Sequence, residues 1–154
     1  MKLKWSMVGL LGVFILSCSS DNGNGSENAS IVGTWNITSF QTSQSYDLND
    51  DGESSNDLVE ELDCFTSVIS FTDEGTFTFM SSDIDFTAQG ENDFTIECNG
   101  SSTLSGTYVL DGNTLTTTDE EGTEEVSVTV TKDRLTAVIQ DEDLGEATLI
   151  FERQ

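Results

Sequence analysis

The densest group of oxygen donors in this 154-residue chain is Asp47-Leu48-Asn49-Asp50-Asp51-Gly52-Glu53-Ser54-Ser55-Asn56-Asp57. Asp47, Asn49 and Asp51 stand two apart, Gly52 follows where a loop must turn sharply, and Glu53 and Ser55 continue the alternation. This is the spacing with which a loop wraps a hard divalent cation, calcium above all, in oxygen. Asp47, Asn49 and Asp51 would ligate by side chain, Glu53 through its carbonyl, and Ser55 directly or through water. The twelfth place, where a bidentate acid closes such loops, holds Leu58, with Asp57 one place early and Glu60 and Glu61 on the next turn. Binding is therefore expected in the weak range of extracellular modules, roughly 10⁻⁴ to 10⁻³ M, with the ion in a structural role. The other reading of the same residues is a solvated acidic turn.

Further chemistry is sparse. With no histidine, there is no Ser-His-Asp or Cys-His arrangement, no imidazole ligand and no side chain that exchanges protons near neutral pH in its ordinary state. Among 29 acids no carboxylate pair is singled out by spacing, and there is no glycine-rich phosphate loop, Cys-x-x-Cys or nucleophile elbow. No catalytic residue is assigned, and the chain is not expected to be an enzyme.

The first residues carry Lys2 and Lys4, an apolar run from Trp5 to Leu16, then Ser17 and Cys18, the plan of a secretory signal. The run is too short for a permanent membrane span. Ile15-Leu16-Ser17-Cys18 resembles a bacterial lipobox, which implies lipidation of the Cys18 thiol and cleavage just before it. The chain then divides into a signal over residues 1–17, a lipidated Cys18 with a small polar tether over residues 18–30, and one folded domain over residues 31–154. Ser19 after the cysteine resembles outer-membrane sorting in Gram-negative bacteria, so a cell-envelope lipoprotein is expected, on either face of that membrane. Loss of Lys2 and Lys4 leaves three cations against 29 acids, a formal charge of −26. Nucleic acid is excluded as a partner, because Lys132, Arg134 and Arg153 cannot supply a phosphate footprint. Contact with the membrane should rest on the lipid and not on the domain surface. In an oxidising compartment Cys64 and Cys98 are expected to bond to each other, the alternative being two free buried thiols.

From Ile31 onward apolar residues alternate with polar ones: Phe65, Ser67, Ile69 and Phe71, then Phe77 with Phe79, Ile84 with Phe86, Phe94 with Ile96, Leu104 to Leu110, Val126 to Val130, Leu135 to Ile139, and Ala147 to Phe151. These are strands with one buried side, and the turn signals between them, Asp73-Glu74-Gly75, Asn99-Gly100, Asp111-Gly112-Asn113 and Glu121-Gly122 among others, make neighbours antiparallel. The class is all-β, an up-and-down meander of 8–10 strands closed into a barrel, which removes the free edges and favours a monomer. One long polar loop and a short helix near Asp57–Leu62, capped by Asp57, separate the first two strands and could lie as a lid over one end.

Ile31-Val32-Gly33-Thr34-Trp35-Asn36-Ile37 resembles the Gly-x-Trp opening of lipocalins and of lipocalin-like domains in Gram-negative lipoproteins. Phe71 to Phe77, Ser105 to Leu115 and a closing strand at Ala147 to Glu152 are similar to the family's hairpins. The resemblance implies closure of the barrel by Gly33, Trp35 and Arg153, the arginine packing on the ring by cation–π attraction. It also implies a pocket for a small hydrophobic ligand lined by Phe71, Phe77, Phe79, Phe86, Phe94 and Tyr108. The competing expectation is a barrel filled by its own side chains, serving as an envelope structural or interaction protein through calcium-ordered acidic loops.

Overall fold

A computed structural model of the protein describes residues 29–88, 94–141 and 145–154, with the side chains of residues 86–88, 94–97 and 141 left aside. Cys18 and the signal region lie outside the described residues. The elements are β1 (Gly33–Tyr46), β2 (Ser55–Asp57), α1 (Leu58–Glu61), β3 (Ser67–Phe71), β4 (Thr76–Ala88), β5 (Phe94–Asp111), β6 (Thr114–Thr118), β7 (Thr123–Val130), β8 (Arg134–Asp141) and β9 (Gly145–Arg153).

Every neighbouring pair is antiparallel, and from β3 to β9 each strand pairs with the next. β1 joins β3 on one side and β9 on the other, Trp35 facing Ile69 and Arg153 respectively. Eight strands thus close a barrel, and β2 is a ninth that pairs only with β1, beyond the point where β3 begins. The long loop and helix fall in the expected part of the chain, but β2 precedes the helix, so α1 lies between the second and third strands. Asp57 caps it, accepting the Val59 amide at 3.0 Å and the Phe40 amide of β1 at 2.9 Å with the same oxygen. Past the start of β3, β1 would otherwise keep unpaired donors, and Asp57 and β2 take them up. The helix packs on β1 and β2.

Asn99-Gly100 is not the hairpin turn that its dipeptide predicts. It sits inside β5, opposite a register shift between Ser82 and Ile84 of β4, with Gly100 at φ 115°. A glycine at positive φ serves a bulge as readily as a turn. Two predicted pairs of short strands are therefore the two long strands β4 and β5.

Candidate binding site

The inward face follows from the register. Trp35, Ile69, Phe79 and Leu104 lie on one rung, and Phe71, Phe77 and Gly106 on the rung toward the β3–β4 turn. At that end Ile31, Trp35, Phe71, Phe77, Leu115, Val128, Leu135 and Phe151 form one sealed cluster, with Trp35 wholly buried. The Phe77 ring fills the space over Gly106, where a Cβ would collide with it and with the Thr118 carbonyl. The end is plugged.

Gly33, Trp35 and Arg153 meet beneath this plug. The indole Nε1 donates to the Ile31 carbonyl at 2.8 Å, and the Arg153 guanidinium carbon stands 4.0 Å from the Trp35 ring centroid. Arg153 donates Nε to Lys132 O at 2.7 Å, Nη1 to Val32 O at 2.7 Å and Nη2 to Ser30 O at 2.6 Å. Gly33 has φ 136°, and a Cβ there would lie 2.5 Å from Nη1, so only glycine fits both the backbone and the clamp.

The opposite half is different. Ile37, Ile69, Phe79, Leu104, Ala137 and Leu149 all face inward by register, yet each is only half-buried. This row packs against the plug but is less completely covered than the plug itself, whereas Ala147, farther along β9, is 1% exposed. Of the six aromatic residues expected to surround one pocket, Phe71 and Phe77 belong to the plug. Tyr108 packs edge-on to Phe71, with centroids 4.8 Å apart, and donates its hydroxyl to Thr72 O at 2.8 Å. Phe79 stands in the open half, and the side chains of Phe86 and Phe94 lie outside the described residues. Aromatic type alone could not separate the two ends, because strand register decides which ring enters the plug. Sequence reasoning missed Ser67, which is 4% exposed with a hydroxyl that has no hydrogen-bond partner. Its signal was a polar residue in the apolar series Phe65, Ser67, Ile69 and Phe71.

Cys64 and Cys98 form a disulfide with Cα atoms 6.1 Å apart, tying the segment after α1 to β5 at the open end. Beside it Phe40 and Phe65 pack with ring centroids 6.0 Å apart.

In the acidic loop, Asp47 accepts the Gly52 amide at 3.1 Å, Asn49 the Asp51 amide at 3.0 Å and Asp51 the Glu53 amide at 2.8 Å. Asp47 and Asp51 each spend one of two carboxylate oxygens in these bonds, and Asn49 its only side-chain oxygen. Ser55 donates to Glu60 and accepts the Asp57 amide, whereas Glu53 enters the loop by its backbone. Asp50 takes φ 59° in the turn. The organiser is Glu61, 5% exposed, whose two oxygens accept the amides of Leu48 at 2.9 Å and Ser55 at 2.8 Å and so close the loop at its base. Among the described residues no three acidic or thiol side chains converge as a ready metal site, so an ion would recruit the oxygens that the turn leaves over.

No curated protein sequence matches the chain. Among solved structures, a de novo designed fluorescence-activating β-barrel is 13% identical, with 80% of this chain and 93% of that one covered and a TM-score of 0.41. The fluorescent protein UnaG is 15% identical, with 80% and 97% covered and a TM-score of 0.34. The family profile of the lipocalin-like domain matches residues 31–137, which span the strands from β1 into β8. The chain belongs to the lipocalin-like domain family.

Proposed function

We propose that this protein is a non-catalytic, lipid-anchored binding protein of the cell envelope, whose barrel takes a small hydrophobic ligand in its open half. The observation that carries the reading is the row of inward apolar side chains, Ile37, Ile69, Phe79, Leu104, Ala137 and Leu149, left half-buried. Covering such surface releases about 25 cal/mol per Å², and a concave apolar site above a sealed floor is the usual form of a small-molecule site. The anchor rests on the lipobox-like residues Ile15 to Cys18. Ser30 is held by Arg153 at the plugged end, so the tether joins the barrel at that end. Outer-membrane sorting is supported by the resemblance of Ser19 after the cysteine to such sorting in Gram-negative bacteria, and the loop from Asp47 to Asp57 would take a calcium ion in a structural role.

The test is a fluorescence titration of the purified protein with N-phenylnaphthylamine, an uncharged probe that brightens in apolar surroundings. A saturable rise with one site per chain is expected. A response that only grows linearly with probe would overturn the reading and favour the second one, a filled barrel that meets another protein through its acidic loops. The anchor is tested separately by mass spectrometry of the cellular protein, which should carry acyl chains that a Cys18→Ser variant lacks.

A further inference from the structure

We infer that the ligand of the open half is an uncharged amphiphile: an apolar body topped by one hydrogen-bonding group, and neither a carboxylate nor a phosphate. This rests on the reading that the open half binds a ligand at all. Ser67 pairs with Ser81, and Ser81 with Ser102, on the face that Ile69, Phe79 and Leu104 share one rung below. A line of three hydroxyls therefore crosses β3, β4 and β5 about 7 Å above that apolar rung, two residues along the strands. Ser67 is the one sealed from water, and its hydroxyl has no partner. A buried polar group in that condition has lost its hydration without compensation, and an incoming donor or acceptor would restore it. A serine hydroxyl offers both roles, which suits an alcohol, an amide or a carbonyl.

Charge narrows the class. The cations of the described residues, Lys132, Arg134 and Arg153, all stand at the plugged end, in the β7–β8 turn, at the start of β8 and at the end of β9. The open end carries Asp47, Asp51, Glu60, Asp119, Glu120 and Glu124, with no Lys or Arg among its described residues. An anionic head would approach through like charge and lose its water at the serines without a counter-ion. A cationic head would be attracted to the rim but would meet no carboxylate at the serine rung among the described residues, so the head that fits there is neutral.

The experiment displaces N-phenylnaphthylamine from the protein with dodecanol, dodecanoate and dodecane, which share one chain length. Dodecanol should bind roughly tenfold more tightly than either of the others, the value of one net hydrogen bond. Ser67→Ala should bring dodecanol to the level of dodecane, leave dodecane unchanged, and hold or raise the melting temperature, because it removes an unsatisfied hydroxyl. Ser81→Ala, on the same rung, should act in the same direction and serves if the first variant folds poorly. Dodecanoate binding as tightly as dodecanol, or an alcohol preference that survives both substitutions, would overturn the inference while ligand binding itself stands. Absence of probe binding altogether would overturn both.

Discussion

Arg153 holds its guanidinium carbon 4.0 Å from the centroid of the Trp35 ring while its nitrogens reach the carbonyls of Ser30, Val32 and Lys132. In a chain with 29 acids, this arginine is satisfied by backbone oxygen and an aromatic face. The one salt bridge among the described residues, Arg134 with Glu152 at 3.9 Å, joins two side chains that are each 57% exposed and contributes little.

Arg153→Ala should lower stability by about 2 to 4 kcal/mol, the sum of a cation–π contact and charge-assisted bonds to partly buried carbonyls. Arg153→Lys should recover less than half of that, because an ammonium cannot fork to three carbonyls over a ring. Urea unfolding of the three proteins gives the comparison. Gly33→Ala should cost about 1 to 3 kcal/mol by strain at its positive φ, with the conflict at Nη1 added.

Replacing both Cys64 and Cys98 by serine should remove roughly 3 to 4 kcal/mol, as expected for a crosslink 34 positions apart. Thermal unfolding should show a fall of about 10 °C or more, with the barrel still formed by circular dichroism. A change of only one or two degrees would mean that the strands alone hold the open end.

Glu61→Gln tests the base of the acidic loop. Glutamine keeps one acceptor and turns an NH₂ group toward an amide that needs an acceptor, so a loss of about 1.5 to 3 kcal/mol is expected. Hydrogen exchange at the Leu48 and Ser55 amides should accelerate selectively, whereas amides in the plug should follow only the global change.

Calcium at a few millimolar should raise the melting temperature over chelator, and more than magnesium or sodium does at matched ionic strength. A dissociation constant one-tenth of the calcium concentration corresponds to about 1.4 kcal/mol. Asp51→Ala should abolish the difference. An unchanged calcium response in that variant would move the ion elsewhere, and equal effects of all three salts would leave the loop ordered by Glu61 and its own turns.

Burial, and then the Asp73 carboxylate, push the Tyr108 phenol above its ordinary value of 10.0. The unfolded chain therefore gives up this proton first as pH rises. The contribution of the neutral phenol is fully present below about pH 10 and is lost as pH climbs through that value toward the folded one. Tyr108→Phe should flatten this alkaline limb and cost about 1 kcal/mol at neutral pH for the bond to Thr72 O. Urea midpoints from about pH 8 to about pH 11 decide it.

Much of this architecture is legible in the sequence, and the reasons for the rest are physical. Alternation exposed the inward faces, and Asp57 announced the helix as its cap. Strand limits were hidden where Asn99-Gly100 bends β5 without ending it, because positive φ marks a change of direction and not the kind of change. The division of the barrel into plug and open half was also hidden: Phe77 and Phe79 are alike in sequence, and only the pairing with Gly106 and Leu104 distinguishes floor from wall. In the sequence Glu61 stands, with Glu60, as a replacement for the missing twelfth ligand; its burial was hidden because it depends on where the chain folds back over it.

The seam that closes the ring joins the first strand to the last, and Arg153 reaches Val32 across 121 positions of sequence. No shorter nascent chain contains both sides of that seam. During synthesis β1 must stay unpaired on its β9 edge until residues 148–153 have been made. The ring therefore closes last, and a chain that stops before Arg153 lacks the arginine that fastens the floor.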